Sequence, residues 1–234
     1  MSSKKSVVLA IPDIHFPAHH PDTFEFLAAV KKSYKITEVI CLGDEIDAAG
    51  LGDWDKDPDQ PSAGDELKAS VVLMKKLYKL FPVVKCCVSN HTDRIYRKPF
   101  KSGIPKSLIK SYAEILEAPK GWRWASSWEI DGIVYEHGEG FSGKDGALKA
   151  ASANMQSTVI GHLHAYAGIQ YYANAKHLIW GFNAGCLIDR ANPAFNYGKH
   201  IKAKPIIGVG IIESGVPRFI PMKLTTSGRW TGKL

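Results

Sequence analysis

Three short apolar runs, each broken off by residues that can bind a metal ion, constrain this chain more than any other feature. Val7 to Ile11 leads into Pro12-Asp13-Ile14-His15, Glu38 to Leu42 into Gly43-Asp44-Glu45-Ile46-Asp47, and Val83 to Val88 into Ser89-Asn90-His91. Short runs that are apolar at nearly every position fit strands buried on both faces of a parallel sheet. Between them the period changes. Pro21 and Asp22 open a helical pattern continued by Phe24, Leu27, Ala28 and Lys31, and proline suits a first helical turn. Gly50 to Gly64 is rich in Gly, Pro and Asp and reads as a loop. Leu67, Val71, Met74 and Tyr78 then mark one face of a second helix. Strand, helix, strand, helix, strand predicts an α/β architecture with parallel strands.

The second half has a different texture. Leu108, Tyr112 and Ile115 predict a helix after Pro105. Trp128 to Glu136 and Thr158 to Ile160 read as strands with a helix, Gly146 to Met155, between them. His177 to Phe182, Ile206 to Ile212 and Arg218 to Lys223 are short strands set off by Gly, Asn and Pro, so this half is β-rich and partly antiparallel. No repeat or linker divides the chain. A single domain is expected over residues 1–224, with a flexible tail over 225–234.

Composition excludes several classes. Among 234 residues, 45% are hydrophobic and 23% charged, which fits a globular protein and argues against disorder. No apolar run approaches the roughly 20 residues of a membrane helix. Met1 to Lys5 is basic and is followed by an apolar stretch, but that stretch stops at Pro12-Asp13, too short for a signal peptide. The four cysteines, at 41, 86, 87 and 186, form no C-x-x-C, and three of them sit in apolar runs. A reducing, cytoplasmic compartment is the simplest expectation. Thirty Lys and Arg against 23 Asp and Glu give a net charge of +7. That excess suits an anionic partner such as a nucleotide or nucleic acid, although a merely soluble basic surface fits equally well.

The polar residues after the strands carry the chemistry. Two later strands also end in histidine: Ile133 to Glu136 in His137-Gly138, and Val159-Ile160 in Gly161-His162-Leu163-His164. Ligands in open α/β sheets bind beyond the carboxyl ends of the strands, so these clusters should converge on one edge. Residues i and i+2 of an extended segment face the same way, which lets Asp13 act with His15 and His162 with His164. Carboxylate, imidazole and amide oxygen together suit Mn, Fe, Zn, Co or Ni rather than an all-oxygen Mg or Ca cage. One ion takes about three or four protein ligands. The larger set Asp13, His15, Asp44, Asn90, His137, His162 and His164 fits two ions sharing a carboxylate.

The ordered set D-x-H, G-D-x-x-D, N-H, H-G and G-H-x-H, spanning Asp13 to His164, resembles the calcineurin-like metallophosphoesterase superfamily. Its overall layout is also similar to small phosphoesterases of phage genomes. The resemblance implies a four-layer αββα sandwich of two mixed sheets flanked by helices. It implies a centre of two divalent ions, manganese first among them, and hydrolysis of a phosphate ester by a metal-bound hydroxide. Asp13, His15 and His164 would hold the first ion, Asp44 would bridge, and Asn90, His137 and His162 would complete the second. His91 matches the family's catalytic histidine. A phosphodiester in a nucleotide or nucleic acid is the favoured substrate, a phosphomonoester the alternative, and a non-catalytic binding scaffold a third reading.

Two departures narrow the branch. Ser89 stands where the family usually has glycine, and Asp93 lies one place beyond the usual acid after the histidine. Asp47 is followed by Ala48-Ala49-Gly50, without the phosphate-gripping arginine of the Ser/Thr protein phosphatases. Arg94 and Arg97 are candidates to replace it, with ordinary surface arginines as the equal alternative. Asp47 itself suits a supporting or capping role. His19, His20, His177 and His200 lack motif context, and Asp53, Asp55, Asp57 and Asp59 read as a solvated loop rather than a calcium loop. Trp122, Trp124 and Trp128 are expected in the core or on a sheet face ahead of a base-stacking role.

Overall fold

The apolar runs become strands β1 (Val7–Ile11), β2 (Glu38–Cys41) and β3 (Val84–Cys87). They lie side by side and parallel, with Leu9 opposite Val39 and Cys41 opposite Cys86. Helices α1 (Thr23–Ser33) and α2 (Ala63–Leu80) make the crossovers. The computed structural model describes residues 6–53, 60–192 and 202–234. Strand β4 (Trp122–Ala125) extends the parallel run beyond β3, while β10 (Gly208–Glu213) pairs antiparallel with β1 and β11 (Val216–Pro221) with β10. The first sheet therefore runs β11-β10-β1-β2-β3-β4. The second contains β5 (Ser127–Ile130), β6 (Ile133–Glu136), β7 (Thr158–Ile160), β8 (Gly168–Ala173) and β9 (Leu178–Asn183), in the order β5-β6-β7-β9-β8.

Alternation along β1 sorts the layers. Leu9 and Ile11 face the helices and pack with Phe26, Leu27, Met74 and Leu77. Val8 and Ala10 face the other way and join Ile40, Tyr135, Val159 and Phe182 between the sheets. On the far side of the second sheet, Ile160 packs with Ala147 and Ala150 of α5 (Gly146–Asn154). Helix, sheet, sheet, helix is the αββα sandwich. Each fully shielded Leu, Ile or Phe in these layers contributes roughly 1.5–3 kcal/mol. Among the described residues, no helix is long and apolar enough to cross a membrane.

Several local expectations change. Trp128 to Glu136 is two antiparallel strands joined at Asp131-Gly132, both at positive φ (52° and 73°). Such a pair supplies the mirror-image turn that matches strand twist. The helix after Pro105 splits into a 3-10 turn at Lys106–Leu108 and α4 (Tyr112–Ile115), because the Ser111–Glu114 capping box restarts the helix. Helix α3 (Arg94–Lys101) and strands β4 and β8 had no sequence signal of their own. On α1 the buried face is Phe26, Leu27 and Val30, and Ala28 is exposed: the larger side chains take the core.

Residues 225–234, expected to be flexible, are docked. Leu224 and Trp230 form a bridge, and the Trp230 ring meets Phe26 edge-on at 5.6 Å. Arg229 pairs with Asp22, whose Oδ2 also accepts the Trp230 N–H at 2.7 Å. Asp22 precedes α1 but makes no capping bond to it, because its carboxylate is engaged by the tail.

Candidate metal centre

The predicted ligands come from both sheets and meet at the seam between them rather than along one sheet edge. Asp13 follows β1, Asp44 follows β2 and Asn90 follows β3; His137 follows β6, and His162 and His164 follow β7. Strand alternation is not what aligns them. The backbone turns through positive φ at His15 (55°), Asp44 (47°) and His162 (65°), a costly region for non-glycine residues that clusters at functional sites. Asp13 holds the seam together by accepting the His162 N–H at 2.9 Å and 3.0 Å on its two oxygens. Gly161 makes this approach possible, since a Cβ there would lie 2.1 Å from Asp13 Oδ1.

Two donor groups share Asp44. In the first, His164 Nε2 is 2.8 Å from Asp13 Oδ2 and 3.2 Å from His15 Nε2, and His15 Nε2 is 3.5 Å from Asp44 Oδ2. In the second, His137 Nε2 is 2.7 Å from Asn90 Oδ1, 3.1 Å from His162 Nδ1 and 3.4 Å from Asp44 Oδ2. Asp44 Oδ2 is thus common to both.

The tautomers are fixed from behind. His15 Nδ1 donates to Asp47 Oδ1 at 2.9 Å, and His137 Nδ1 donates to the Leu42 carbonyl at 2.9 Å. In the neutral rings Nε2 then carries a lone pair aimed at the cluster. Lone pairs of Nε2, Asn90 Oδ1 and the carboxylates facing one another at 2.7–3.5 Å would repel in isolation. A cation between them reverses the sign, so the residues present fit a metal centre. Burial opposes the charge on Asp44, but His137, His91 and His15 overcome it and hold the carboxyl far below its usual range. Burial lowers His15 and His162. It works the same way on His137, where Asp44 and Asp13 prevail and raise the pKa.

His91 lies beside the cluster. Its N–H donates to Asp44 Oδ1 at 3.0 Å, and its Nδ1 is 2.8 Å from both the carbonyl oxygen and Oδ1 of Asp47. Asp47 therefore orients His15 and His91 together. Asp93 does not orient His91; its Oδ1 accepts from Tyr112 Oη at 2.8 Å, on the far side of α3's first turn. Arg94 lies against His91, with one nitrogen 3.2 Å from Nε2 and another donating to the Asp47 carbonyl at 3.0 Å. Ser89 does more than shape a turn, because its Oγ accepts the buried Asp44 N–H at 2.7 Å.

Other residues were not foreseen. Glu45 is fully buried; burial raises its pKa, and its oxygens accept from Trp124 Nε1 at 2.8 Å and Thr92 Oγ1 at 3.0 Å. Nothing in sequence links positions 45 and 124. Trp122 and Trp128 likewise donate to the Phe81 and Cys86 carbonyls, so all three tryptophans are in structural use. His20 binds the Gly228 carbonyl of the tail, His19 packs on Phe16, and the His177 side chain is exposed. Asp53 pairs with Lys98 and Lys101, whereas Asp55, Asp57, Asp59 and His200 lie outside the described residues.

Above the cluster opens a cleft of about 330 Å³ lined by Asp44, Asn90, His91, His162, His164 and Tyr166. No family model matches the chain, and no curated protein matches it. Among solved structures, it is similar to Vps29 of Chaetomium thermophilum at 12% identity and TM-score 0.44, over 96% of this chain and 93% of that one. Vacuolar protein sorting 29 of Cryptosporidium parvum aligns at 13% identity and TM-score 0.39, over 91% and 94% of the two chains. The nuclease MPE of Pseudomonas putida aligns at 12% identity and TM-score 0.36, over 92% and 85%.

Proposed function

We propose that this chain is a metal-dependent phosphoesterase of the calcineurin-like kind, with a phosphodiester of a nucleotide or nucleic acid as its substrate. One observation carries the reading: two groups of imidazole and carboxylate atoms share Asp44 Oδ2, with tautomers fixed so that lone pairs converge at the floor of an open cleft. Asp13, His15 and His164 would hold one divalent ion, Asn90, His137 and His162 a second, and Asp44 both; manganese fits this mixed nitrogen and oxygen set. Such a pair supplies charge neutralisation for the phosphoryl group and a water acidic enough to attack near neutral pH.

The chain's own residues do the rest. His91 sits at the cleft wall with Nδ1 held by Asp47 and Nε2 3.2 Å from an Arg94 nitrogen, a position from which Nε2 would contact a phosphoryl oxygen or protonate the leaving group. Asp47 keeps His15 and His91 in register. Arg94 adds positive charge beside His91. The test is hydrolysis of bis-p-nitrophenyl phosphate against p-nitrophenyl phosphate with Mn²⁺. The diester should be the better substrate. Preference for the monoester would move the reading to a phosphatase, and turnover of neither with metal bound would replace it by a binding scaffold.

A further inference from the structure

Helix α3 leaves the cleft directly after Asn90 and His91, and its cations share one face. Arg94, Arg97, Lys98 and Lys101 follow the i, i+3, i+4, i+7 spacing of a helical stripe. The opposite face is apolar, with Tyr96 buried against Tyr112. The seven steps of 1.5 Å from Arg94 to Lys101 give the stripe a length of roughly 10 Å. Among the described residues it is ion-paired only at its far end. Asp53 pairs with Lys98 at 2.5 Å and Lys101 at 2.8 Å, but Arg94 and Arg97 have no carboxylate partner among the described residues. Both instead anchor on the site: Arg94 through one nitrogen on the Asp47 carbonyl and another against His91 Nε2, and Arg97 through one nitrogen on the Asn90 carbonyl. A guanidinium has five N–H donors in a planar fork, so each keeps donors for an anion. Gly52 lies against the Arg94 guanidinium and adds no side chain to cover it.

From this arrangement we infer that α3 is a rail for the phosphates flanking the scissile one, and that the ligand is a single strand of nucleic acid running from the cleft along the helix. The inference rests on the phosphoesterase reading for the scissile position only. A compact phosphomonoester would fill the cleft and leave Arg97 and the two lysines untouched. A strand presents successive phosphates, which is what a row of cations leading out of a cleft can use. The net charge of +7 supports the same sign of partner.

Binding of a fluorescein-labelled dT12 oligonucleotide to the full chain, followed by anisotropy in EDTA, tests the rail without any turnover. Binding should weaken with salt, each strand phosphate neutralised contributing roughly −0.7 to the slope of log K against log[salt]. R97A should bind about 5- to 20-fold more weakly at 50 mM salt, with a slope less negative by roughly 0.7. R94A/R97A should lose about twice that slope, and R97K should recover most of it. An R97A slope equal to wild type, or dTMP bound as tightly as dT12, would overturn the rail. Wild-type binding of dT12 without diester hydrolysis in Mn²⁺ would leave the rail standing and remove the phosphoesterase reading instead.

Discussion

Asp47 shows how one side chain can set two others. It holds the Nδ1 atoms of both His15 and His91 from the single carboxylate between them. Its substitution and that of His91 should therefore read out differently. H91A keeps its metals, measured by elemental analysis, but loses on the order of 10²–10⁴-fold in turnover of the diester. D47A loses both metal affinity and turnover, each by about 10- to 100-fold, with the affinity read by titration calorimetry with Mn²⁺. Full activity in H91A would remove it from the chemistry. Ser89 makes a different kind of contribution. In S89A the Asp44 N–H is left buried without its acceptor, at a cost of about 1–3 kcal/mol visible in urea unfolding of the metal-free protein. The positions of Asp13, Asp44 and His137 at strand ends were legible because each lies within two residues of the end of a predicted strand. Asp47's double role was not, since it depends on loops meeting across 32 and 44 residues of chain.

At the scale of elements, the strands after which ligands fall were the readable part. β1, β2, β3 and β7 are apolar at most positions because they lie in the interior of the two sheets, and such runs announce themselves. β8 does not, because it is a sheet edge with Tyr171 and Tyr172 exposed. The C-terminal segment escaped for a related reason: Ser, Gly, Arg and Lys look unstructured until Asp22 and Phe26 receive Arg229 and Trp230. Arg229, through its hydrogen bonds, holds the Asp22 carboxyl down at about 2, from 3.8. A depressed carboxyl stabilises the fold above its ordinary range and loses that contribution as pH falls toward the lowered value. R229A should thus reduce Tm by about 2–4 °C at pH 7, since half of the pair is exposed and contributes about 1 kcal/mol at most. The difference should shrink below pH 3. Equal Tm values at pH 7 would make the hook decorative.

For the molecule as a whole, the centre ties the two sheets together through side chains. Five strands from both sheets end on it, so metal binding is expected to stabilise the entire sandwich rather than a loop. Mn²⁺ at about 100 times its Kd should add roughly 2.7 kcal/mol and raise Tm by several degrees, with the midpoint following free metal concentration. Ions compete with protons for the histidines. His137 is raised above 6.5, so affinity should begin to fall while pH is still above that value and continue falling below it. A Tm insensitive to Mn²⁺ at pH 7.5 would argue that the converging groups hold no metal.

By itself the sequence determined the parallel strands and the polar residues that end them. Those are local facts: apolar runs must be buried, and a chain leaving a buried strand must turn polar. Tertiary structure alone decided that the donors meet at the seam of two sheets and that Asp47 and Arg94 support His91. It also decided that basic α3 leads away from the cleft. These depend on how two sheets pack and how loops from distant positions approach, which no spacing within one segment encodes.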